Sequence, residues 1–198
     1  MRELPDDFQL DQLRATLEFV EDFSLALDIG AHRGIWTKYL LSRFDQVIAI
    51  EPTALADQID PRARVIKAAC GEMAGKCRVI PGKRNTGQSH VSGAGNIDVI
   101  SVDSLDLSPG FIKIDVEGME LQVLKGARKT LFKNRPVVII EENNLCLRYG
   151  HRLGSASRML ERMGASKVAT FHMHPEKDEN RVFKFDSHKN SAEVGRPV

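Results

Sequence analysis

The sequence has almost no excess of charge of either sign. Its 198 residues include 28 Lys and Arg against 27 Asp and Glu, which gives a formal net charge of +1 at pH 7. A chain this close to neutral has no long-range positive field to attract nucleic acid, and it has no acidic tail. We therefore expect its partners to be molecules other than nucleic acids.

Long hydrophobic runs are also missing. No segment approaches the roughly 18 consecutive apolar residues of a membrane span, and the first residues, M-R-E-L-P-D-D-F, lack the apolar core of a signal peptide. The three cysteines, Cys70, Cys77 and Cys146, include no C-x-x-C pair. We expect free thiols, a reducing cytoplasmic location and no membrane partner.

What the sequence does contain is an alternation of short apolar runs with helical patterns. Strands are predicted at 24–29, 46–50, 64–69, 98–102, 111–116 and 136–140, and helices at 11–20, 36–41, 54–59, 117–132 and 155–163. Such alternation predicts an α/β fold whose mostly parallel sheet is covered by helices on both faces. Two last strands, at 166–171 and 181–185, are predicted to form a C-terminal antiparallel hairpin.

The length predicts one domain over 1–198, with an N-terminal helical segment at 1–22. From Gly71 the pattern loosens, and Gly, Ser, Asn and Lys dominate. We predict a loop or lid insertion over 71–97 that contains one short strand at 77–80. The polar residues 187–198 are predicted to be a frayed tail.

Acidic residues stand at the ends of several predicted strands. These residues are Asp28, Glu51, Asp115 and Glu141. Because ligands of parallel α/β sheets bind beyond the carboxyl ends of the strands, these acids would line the binding edge. The pattern predicts a ligand with positive charge or several hydroxyl groups.

The turn after the first strand reads D-I-G-A-H-R-G, which differs from the G-x-G-x-x-G of dinucleotide sites. Asp28 would repel a pyrophosphate but suits a cationic ligand, and S-adenosylmethionine carries both an ammonium and a sulfonium group. Gly30, Ala31 and Gly34 would allow the backbone to approach that ligand closely. The alternative for Asp28 is that it caps a helix at this turn.

The second strand ends in A-I-E-P. A carboxylate at the position of Glu51 can accept hydrogen bonds from both hydroxyls of a ribose. Pro52 shapes the turn and removes one backbone donor that would compete for this carboxylate. Helix capping is again the alternative for Glu51.

These two motifs resemble the cofactor motifs of class I S-adenosylmethionine-dependent methyltransferases. Three further blocks, V-D-S-L-D-L, F-I-K-I-D-V-E-G-M-E-L-Q-V-L-K-G-A and V-V-I-I-E-E-N, resemble the FkbM family. The likeness covers about residues 24–143. It implies a Rossmann-like class I methyltransferase fold, S-adenosylmethionine as cofactor, and O-methylation of a saccharide, glycan or related natural product.

The resemblance also implies roles for particular residues. Asp115 and Glu117 become the leading catalytic acids, with Asp115 also facing the cofactor. Ser89 and His90 fall where the family has a loop that closes over cofactor or substrate. Ser89 is then a cofactor contact, and His90 is either a catalytic base or a solvated loop histidine.

The resemblance assigns some further residues, and others allow two interpretations. Cys70, Gly71 and Glu72 follow the third strand, where the family contacts adenine. Lys113 either pairs with Asp115 or flanks the site. The segment 141–143, together with Asp115, either binds a divalent cation through oxygen ligands or binds acceptor hydroxyls and caps the next helix. We favour the second interpretation and assign no metal.

Two other functional classes remain open from the sequence. The same fold carries RNA and protein methyltransferases, although the near-neutral charge argues against RNA. A nicotinamide-dependent reductase or a nucleotide-binding protein without turnover is the second class, and the missing G-x-G-x-x-G argues against it. The acceptor and the oligomeric state are not specified by the sequence.

Overall fold

The structure is a computed structural model that describes residues 6–80, 90–172 and 179–186. Its helices are α1 (Asp6–Leu17), α2 (Ile35–Leu40), α3 (Glu120–Lys125), α4 (Arg128–Asn134) and α5 (Ser155–Arg162). Its strands are β1 (Leu25–Ile29), β2 (Gln46–Ile50), β3 (Arg64–Ile66), β4 (Ala69–Cys70), β5 (Gly75–Ile80), β6 (His90–Ile100), β7 (Phe111–Ile114), β8 (Val137–Glu142), β9 (Ala165–His172) and β10 (Glu179–Phe185). Short 3₁₀ helices occur at Ala54–Gln58, Val102–Leu105 and Asn144–Tyr149.

Within the described residues, seven strands form the central sheet in the order β3-β2-β1-β7-β8-β10-β9. β1 is parallel to β2 and β7, and β7 is parallel to β8. β10 lies between β8 and β9 and is antiparallel to both. The α/β fold, the mostly parallel sheet and the C-terminal antiparallel hairpin are thus confirmed. The strand order reverses between β1 and β7, which is where such sheets form their binding crevice.

Helices cover both faces of this sheet. On one face, Leu124 of α3 and Leu160 of α5 pack against strand residues such as Leu27. On the other face, Leu13 of α1 and Leu40 of α2 pack against the alternate residues of the strands. Because the strands are buried on both faces, almost all of their residues are apolar. Among the helices of the described residues, none is long and apolar enough to cross a membrane.

The segment that we predict to be a loop contains two paired strands. β5 and β6 are antiparallel, and β4 joins β6 to complete a separate sheet. Gly95, one of the glycines that favoured a loop, lies at a β-bulge instead. A Cβ on Gly95 would lie 2.3 Å from the carbonyl oxygen of Cys77, at the register shift between Cys77 and Arg78. The strand predicted at 77–80 is part of β5, whereas the loop prediction is wrong at 75–76 and 90–97.

The boundaries of the third predicted strand are also different. Residues 64–69 do not form one strand, because β3 belongs to the central sheet and β4 to the smaller one. The chain therefore leaves the central sheet after Ile66 and enters the second sheet at Ala69. Ser89 and the predicted tail at 187–198 lie outside the described residues.

The long helix predicted after β7 is divided into α3 and α4. A Cβ on Gly126 would lie 2.1 Å from the carbonyl oxygen of Gly71, so the chain between the helices passes against the second sheet. The Asp103 carboxylate then accepts hydrogen bonds from the backbone N–H groups of Lys129 (3.1 Å) and Thr130 (2.9 Å). This capping of the first turn of α4 comes from a distant segment, so helical periodicity alone does not reveal the break.

The three cysteines are free, as predicted, and all three are buried. Burial raises the pKa of the Cys70 thiol to about 12, with a smaller opposing effect from a backbone hydrogen bond. Cys70 is therefore a neutral core side chain and not a nucleophile at neutral pH.

Candidate active site

The turn of residues 30–34, called here the Gly30 turn, joins β1 to α2 at the carboxyl edge of the sheet. The N–H groups of Gly30 and Ala31 donate to the carbonyl oxygen of Ile50 at 2.9 and 3.2 Å. Gly30 has φ +77°, and a Cβ there would lie 1.8 Å from the carbonyl oxygen of Asp115. Gly34, with φ +81°, is the residue immediately before α2. Glycine at position 30 is therefore what lets the ends of β1 and β7 meet.

Asp28 lies beneath the Gly30 turn, and its side chain has no exposed surface. Its Oδ2 accepts a hydrogen bond from the Thr37 hydroxyl at 2.6 Å. Its Oδ1 lies 3.4 Å from Nζ of Lys113 but, within the described part of the chain, accepts no hydrogen bond. In this arrangement Asp28 supports the turn from below, whereas we expected it to contact the ligand directly.

Glu51 ties the end of β2 to the Gly30 turn. Its carboxylate accepts hydrogen bonds from the backbone N–H of His32 (2.9 Å), the backbone N–H of Thr53 (2.9 Å) and the Thr53 hydroxyl (2.6 Å). The residue is 5% exposed. An ionised carboxylate has about four acceptor positions, so these contacts leave about one for a ligand hydroxyl. Pro52, which follows, is half-buried.

Lys113 joins the two strand ends. Its ammonium donates a hydrogen bond to the Gly30 carbonyl oxygen at 2.7 Å and lies 3.4 Å from Asp28 Oδ1 and 3.3 Å from Asp115 Oδ2. Burial by itself lowers the pKa of Lys113, but the carboxylates of Asp115 and Asp28 outweigh it and raise that pKa above its ordinary value. Lys113 therefore pairs with Asp115 and is a cation at every physiological pH.

Three carboxylates converge beyond the ends of β7 and β8. Asp115, Glu117 and Glu141, called here the acid cluster, each offer an oxygen atom within 4.8 Å of the others, and all three are half-buried. Burial raises the pKa of Glu141 well above its ordinary value, and the negative charges of Asp115 and Glu117 add to the increase. Asn143 donates a hydrogen bond to Glu141 Oε2 at 3.0 Å. The cluster therefore holds a carboxyl group that gains a proton readily.

The turn after β7 gives the acid cluster its shape. Glu117 has φ +57°, a left-handed conformation that costs a non-glycine residue roughly 1–3 kcal/mol. Gly118 has φ +103°, and a Cβ there would lie 2.6 Å from the carbonyl group of Leu145. Glu120 Oε1 accepts hydrogen bonds from the N–H groups of Val116 and Gly118, both at 3.1 Å. These bonds stabilise the turn against its strain.

Glu120 is a residue that sequence reasoning missed. It is 4% exposed, and burial raises its pKa to about 7, while its backbone hydrogen bonds act in the opposite direction. The sequence signal for this role is an acid three positions after Glu117, at the start of a helix and on the side that faces the turn. Its role is to hold the turn, not to face a ligand.

A cleft opens beside the acid cluster. It is lined by Trp36, Lys113, Ile114, Asp115, Ile139, Glu141 and Asn180. Trp36 is 7% exposed and is part of both the core and this lining. Asn180 lies opposite Glu141 in the β8–β10 ladder and donates to Gln12 Oε1 at 2.7 Å. No local sequence pattern indicated Asn180, because a strand from the end of the chain brings it here.

His90 begins β6 and pairs with Ile80 in the β5–β6 ladder. The next residue, Val91, accepts a hydrogen bond from the Tyr149 hydroxyl at 3.0 Å, so this end of the hairpin lies beside the turn that follows β8. Among the described residues, His90 is not one of those that line the cleft. A catalytic role for His90 stays a prediction.

The residues expected near adenine lie against α3. Cys70 is in β4, and Gly71 contacts Gly126 at the end of α3. The exposed Glu72 pairs with Lys125 of α3, with 3.1 Å between Nζ and Oε2. These contacts give the segment a structural role of its own, and its contact with adenine stays a prediction.

Several solved structures share this fold. An FkbM methyltransferase from Methylobacillus flagellatus KT is 21% identical with a TM-score of 0.55, and the match covers 91% of this chain but 56% of that one. NodS, an N-methyltransferase from Bradyrhizobium japonicum WM9 solved with S-adenosyl-L-homocysteine, is 14% identical with a TM-score of 0.54, covering 92% of this chain and 89% of that one. The present chain thus spans little more than half of the Methylobacillus protein. No curated protein matches it.

A family model identifies the chain more specifically than these likenesses, which concern the fold. The methyltransferase FkbM domain matches residues 28–163. That range begins at the buried acid of β1 and includes the Gly30 turn, Lys113 and the whole acid cluster. The chain therefore belongs to the FkbM methyltransferase domain family.

Proposed function

We propose that this protein is an S-adenosylmethionine-dependent O-methyltransferase whose acceptor is a hydroxyl of a saccharide, a glycan or a related natural product. One observation carries the proposal. The ends of β1 and β7 meet where a Cβ on Gly30 would lie 1.8 Å from the Asp115 carbonyl oxygen, and the acid cluster lies directly beyond. A cofactor turn and a group of proton-accepting side chains are thus adjacent.

The residues at the strand ends fit this cofactor. Within the described residues, Glu51 retains about one acceptor position, so this edge favours a ligand with a ribose. When bound, the cofactor supplies a methyl group on a positively charged sulfur, which is already electrophilic. Gly30, Ala31 and Gly34 provide the close backbone surface, and Glu51 with Pro52 provides the ribose contact.

Further cofactor contacts belong to the same proposal. Cys70, Gly71 and Glu72 contact the adenine, Ser89 closes over the cofactor, and Asp115 faces it. Asp28 acts through the groups it holds, since Thr37 and Lys113 are in contact with its two oxygens. The acid at the end of β1 is then a support of the turn and not a direct ligand.

The acid cluster orients the acceptor and takes its proton. Asp115 and Glu117 accept hydrogen bonds from the acceptor hydroxyl and its neighbours, and such orientation supplies up to about 7–11 kcal/mol of a transfer barrier in favourable systems. Glu141, whose pKa is raised by burial and by its acidic neighbours, is the carboxylate best suited to receive the hydroxyl proton. General base assistance of this kind is worth about 10²–10⁴-fold. His90 is the competing base.

A divalent cation is a competing occupant of the acid cluster. Carboxylate oxygens are the ligands that Mg²⁺ and Ca²⁺ prefer, and the three oxygens lie within 4.8 Å of one another. The raised pKa of Glu141 and its hydrogen bond from Asn143 favour the role in acceptor binding. Turnover that survives complete chelation would support this preference, whereas turnover that requires added Mg²⁺ would replace it.

Thermal unfolding with candidate cofactors tests the cofactor assignment. S-adenosylmethionine and S-adenosylhomocysteine should each raise the melting temperature, because a ligand that binds the folded state stabilises it by mass action. NAD(P) should have no effect. A rise with NAD(P) alone would exclude a methyltransferase and favour a nicotinamide-dependent enzyme.

A methyl-label transfer screen tests the acceptor class. Purified protein and labelled S-adenosylmethionine are incubated with monosaccharides, glycans, a mixed tRNA fraction and unfolded protein. Label should appear on the carbohydrate fraction. Transfer only to small aromatic phenols, or to RNA or protein, would leave the methyltransferase assignment intact and overturn the carbohydrate acceptor.

A further inference from the structure

Lys113 contacts three oxygen atoms that belong to three different parts of the site. The ammonium lies 2.7 Å from the Gly30 carbonyl oxygen, 3.3 Å from Asp115 Oδ2 and 3.4 Å from Asp28 Oδ1. Lys113 is opposite Asp28 in the β1–β7 ladder, so its side chain crosses from β7 to β1 and the Gly30 turn. One side chain thus connects the turn, the acid below it and the first acid of the cluster.

These contacts hold the ammonium group from several sides: one is a hydrogen bond to the Gly30 carbonyl oxygen, and two are ion pairs with Asp28 and Asp115. An ammonium group has three N–H donors and no acceptor, and the side chain of Lys113 is 9% exposed. Its Nζ also lies 6.0 Å from the centroid of the Trp36 ring, which closes another side. Lys113 is therefore a buried cation held by oxygen atoms of the protein, and as a cation it cannot act as a base.

The charge of Lys113 matters as well as its reach. The Asp28 side chain is fully buried, and its Oδ1 has no hydrogen bond in the described residues, so the ammonium compensates a carboxylate that water does not reach. A buried charge that loses its partner is strongly unfavourable and takes up a proton instead. An uncharged side chain at 113 should therefore alter the turn even if it fills the same space.

We propose that Lys113 is a positioning residue of the cofactor site, which fixes the Gly30 carbonyl against the end of β7 and joins Asp28 and Asp115 through its positive charge. The Gly30 turn is then formed before any ligand binds. This role rests on the proposed function for the identity of the ligand. The effect on the Gly30 turn, however, is a property of the ligand-free protein.

Hydrogen exchange of the ligand-free protein tests the effect on the turn. In Lys113→Met, the amides of Gly30 and Ala31, which donate to Ile50, should exchange at least about tenfold faster than in the wild type, whereas the α5 amides should not change. Lys76→Met is the matched control, because Lys76 forms an exposed ion pair with Asp98 on the second sheet. Wild-type exchange of the turn in Lys113→Met overturns the proposal.

A double variant guards against loss of folding. Lys113→Met with Asp28→Asn removes both the ammonium and the buried carboxylate, so no buried charge is left unpaired. This variant should fold, and its Gly30 and Ala31 amides should still exchange at least about tenfold faster than in the wild type, because the bond to the Gly30 carbonyl is missing. Wild-type protection of the turn in the double variant also overturns the proposal.

Calorimetric binding of S-adenosylhomocysteine at pH 7.5 tests the effect on the cofactor site. Lys113→Met should bind at least about tenfold more weakly than the wild type, because the Gly30 turn is no longer held in place before the ligand binds. An unchanged affinity overturns the proposal. If the wild type binds neither S-adenosylmethionine nor S-adenosylhomocysteine, the proposed function fails, while the exchange experiment still decides the role of Lys113.

Discussion

The strand ends of the central sheet form two regions that look alike in the sequence and differ in the structure. One region, called here the closed tips, consists of Asp28 of β1 and Glu51 after β2, which are 0% and 5% exposed. The open tips, Asp115 after β7 and Glu141 of β8, are half-buried, and the Asp115 side chain is 38% exposed. In each case an apolar run ends in an acid, yet the first pair is buried and the second pair lines the cleft.

The turns that follow the strands cause this difference. The Gly30 turn folds back over Asp28, because glycine at φ +77° brings the backbone against Asp115. After β7, the left-handed residues Glu117 and Gly118 carry the chain away from the sheet edge, which leaves Asp115 uncovered. An acid at a strand end is therefore a support or a reacting group depending on the next turn.

The largest effect should come from a side chain that obstructs the contact between Gly30 and the backbone of Asp115. Gly30→Ala combines a left-handed alanine with a clash against backbone, so we expect it to lower the free energy of unfolding by about 3 kcal/mol or more. Gly150→Ala is the matched control, since Gly150 has φ +73° and nothing lies within 4 Å of its Cβ position. That variant should lose about 1 kcal/mol in urea denaturation. Equal losses would mean that the contact with Asp115 is unimportant.

The next effect separates the closed tip from the open one. Asp28→Ala leaves the ammonium of Lys113 without its buried partner and should cost about 3 kcal/mol of stability, with a clear loss of affinity for S-adenosylhomocysteine. Asp115→Ala, at a partly exposed position, should change the stability by less than about 1 kcal/mol. Its effect should be on turnover, about 10²–10⁴-fold, more than on affinity.

Urea denaturation, calorimetry and single-turnover methyl transfer measure these three quantities. The comparison fails if Asp28→Ala is as stable as the wild type, or if Asp115→Ala keeps full turnover. A variant with normal kinetics would exclude the role assigned to that acid, while the role of the other would stand.

The sequence was informative where the cause of structure is local. Strand β2 occupies the predicted residues, and Gly30 forms the predicted tight turn, because alternation of apolar runs and glycine placement act over a few residues. It was uninformative where the cause is a distant contact. The break at Gly126 depends on Gly71 and Asp103, which no helical periodicity contains.

The site shows the same division. The acids were visible as strand ends, but whether each is covered depends on register and on turns from elsewhere in the chain. Lys113 could be placed beside Asp115 by spacing, whereas its contact with Asp28 follows from the pairing of β7 with β1. Asn180 reaches the cleft only because β10 is inserted between β8 and β9. Parallel sheets are assembled from non-local pairs, so a local pattern predicts their members better than their neighbours.

The smallest effect concerns Glu120, which lies at the open tips but is buried like the closed ones. Its pKa is raised from an ordinary value of 4.5 to about 7, chiefly by burial. A carboxyl group with a raised pKa in the folded state favours folding when it is protonated. Its contribution is complete below about pH 4.5 and is lost as the pH rises to about 7.

The variant Glu120→Gln removes this titration but keeps an oxygen that can accept the N–H groups of Val116 and Gly118. Urea denaturation between pH 4.5 and 8 should therefore show that the wild type loses on the order of 2 kcal/mol more stability than the variant as the pH rises. Glu141, whose pKa is also raised, contributes in the same direction in both proteins, and because Glu120 is one of the charges that raise it, the difference between the two curves reports Glu120 together with this coupling. Glu161→Gln, on an exposed part of α5, should give a curve parallel to the wild type. Parallel curves for Glu120→Gln would mean that this carboxyl group is ionised in the folded protein. Burial alone would then not decide the protonation of an acid at the sheet edge.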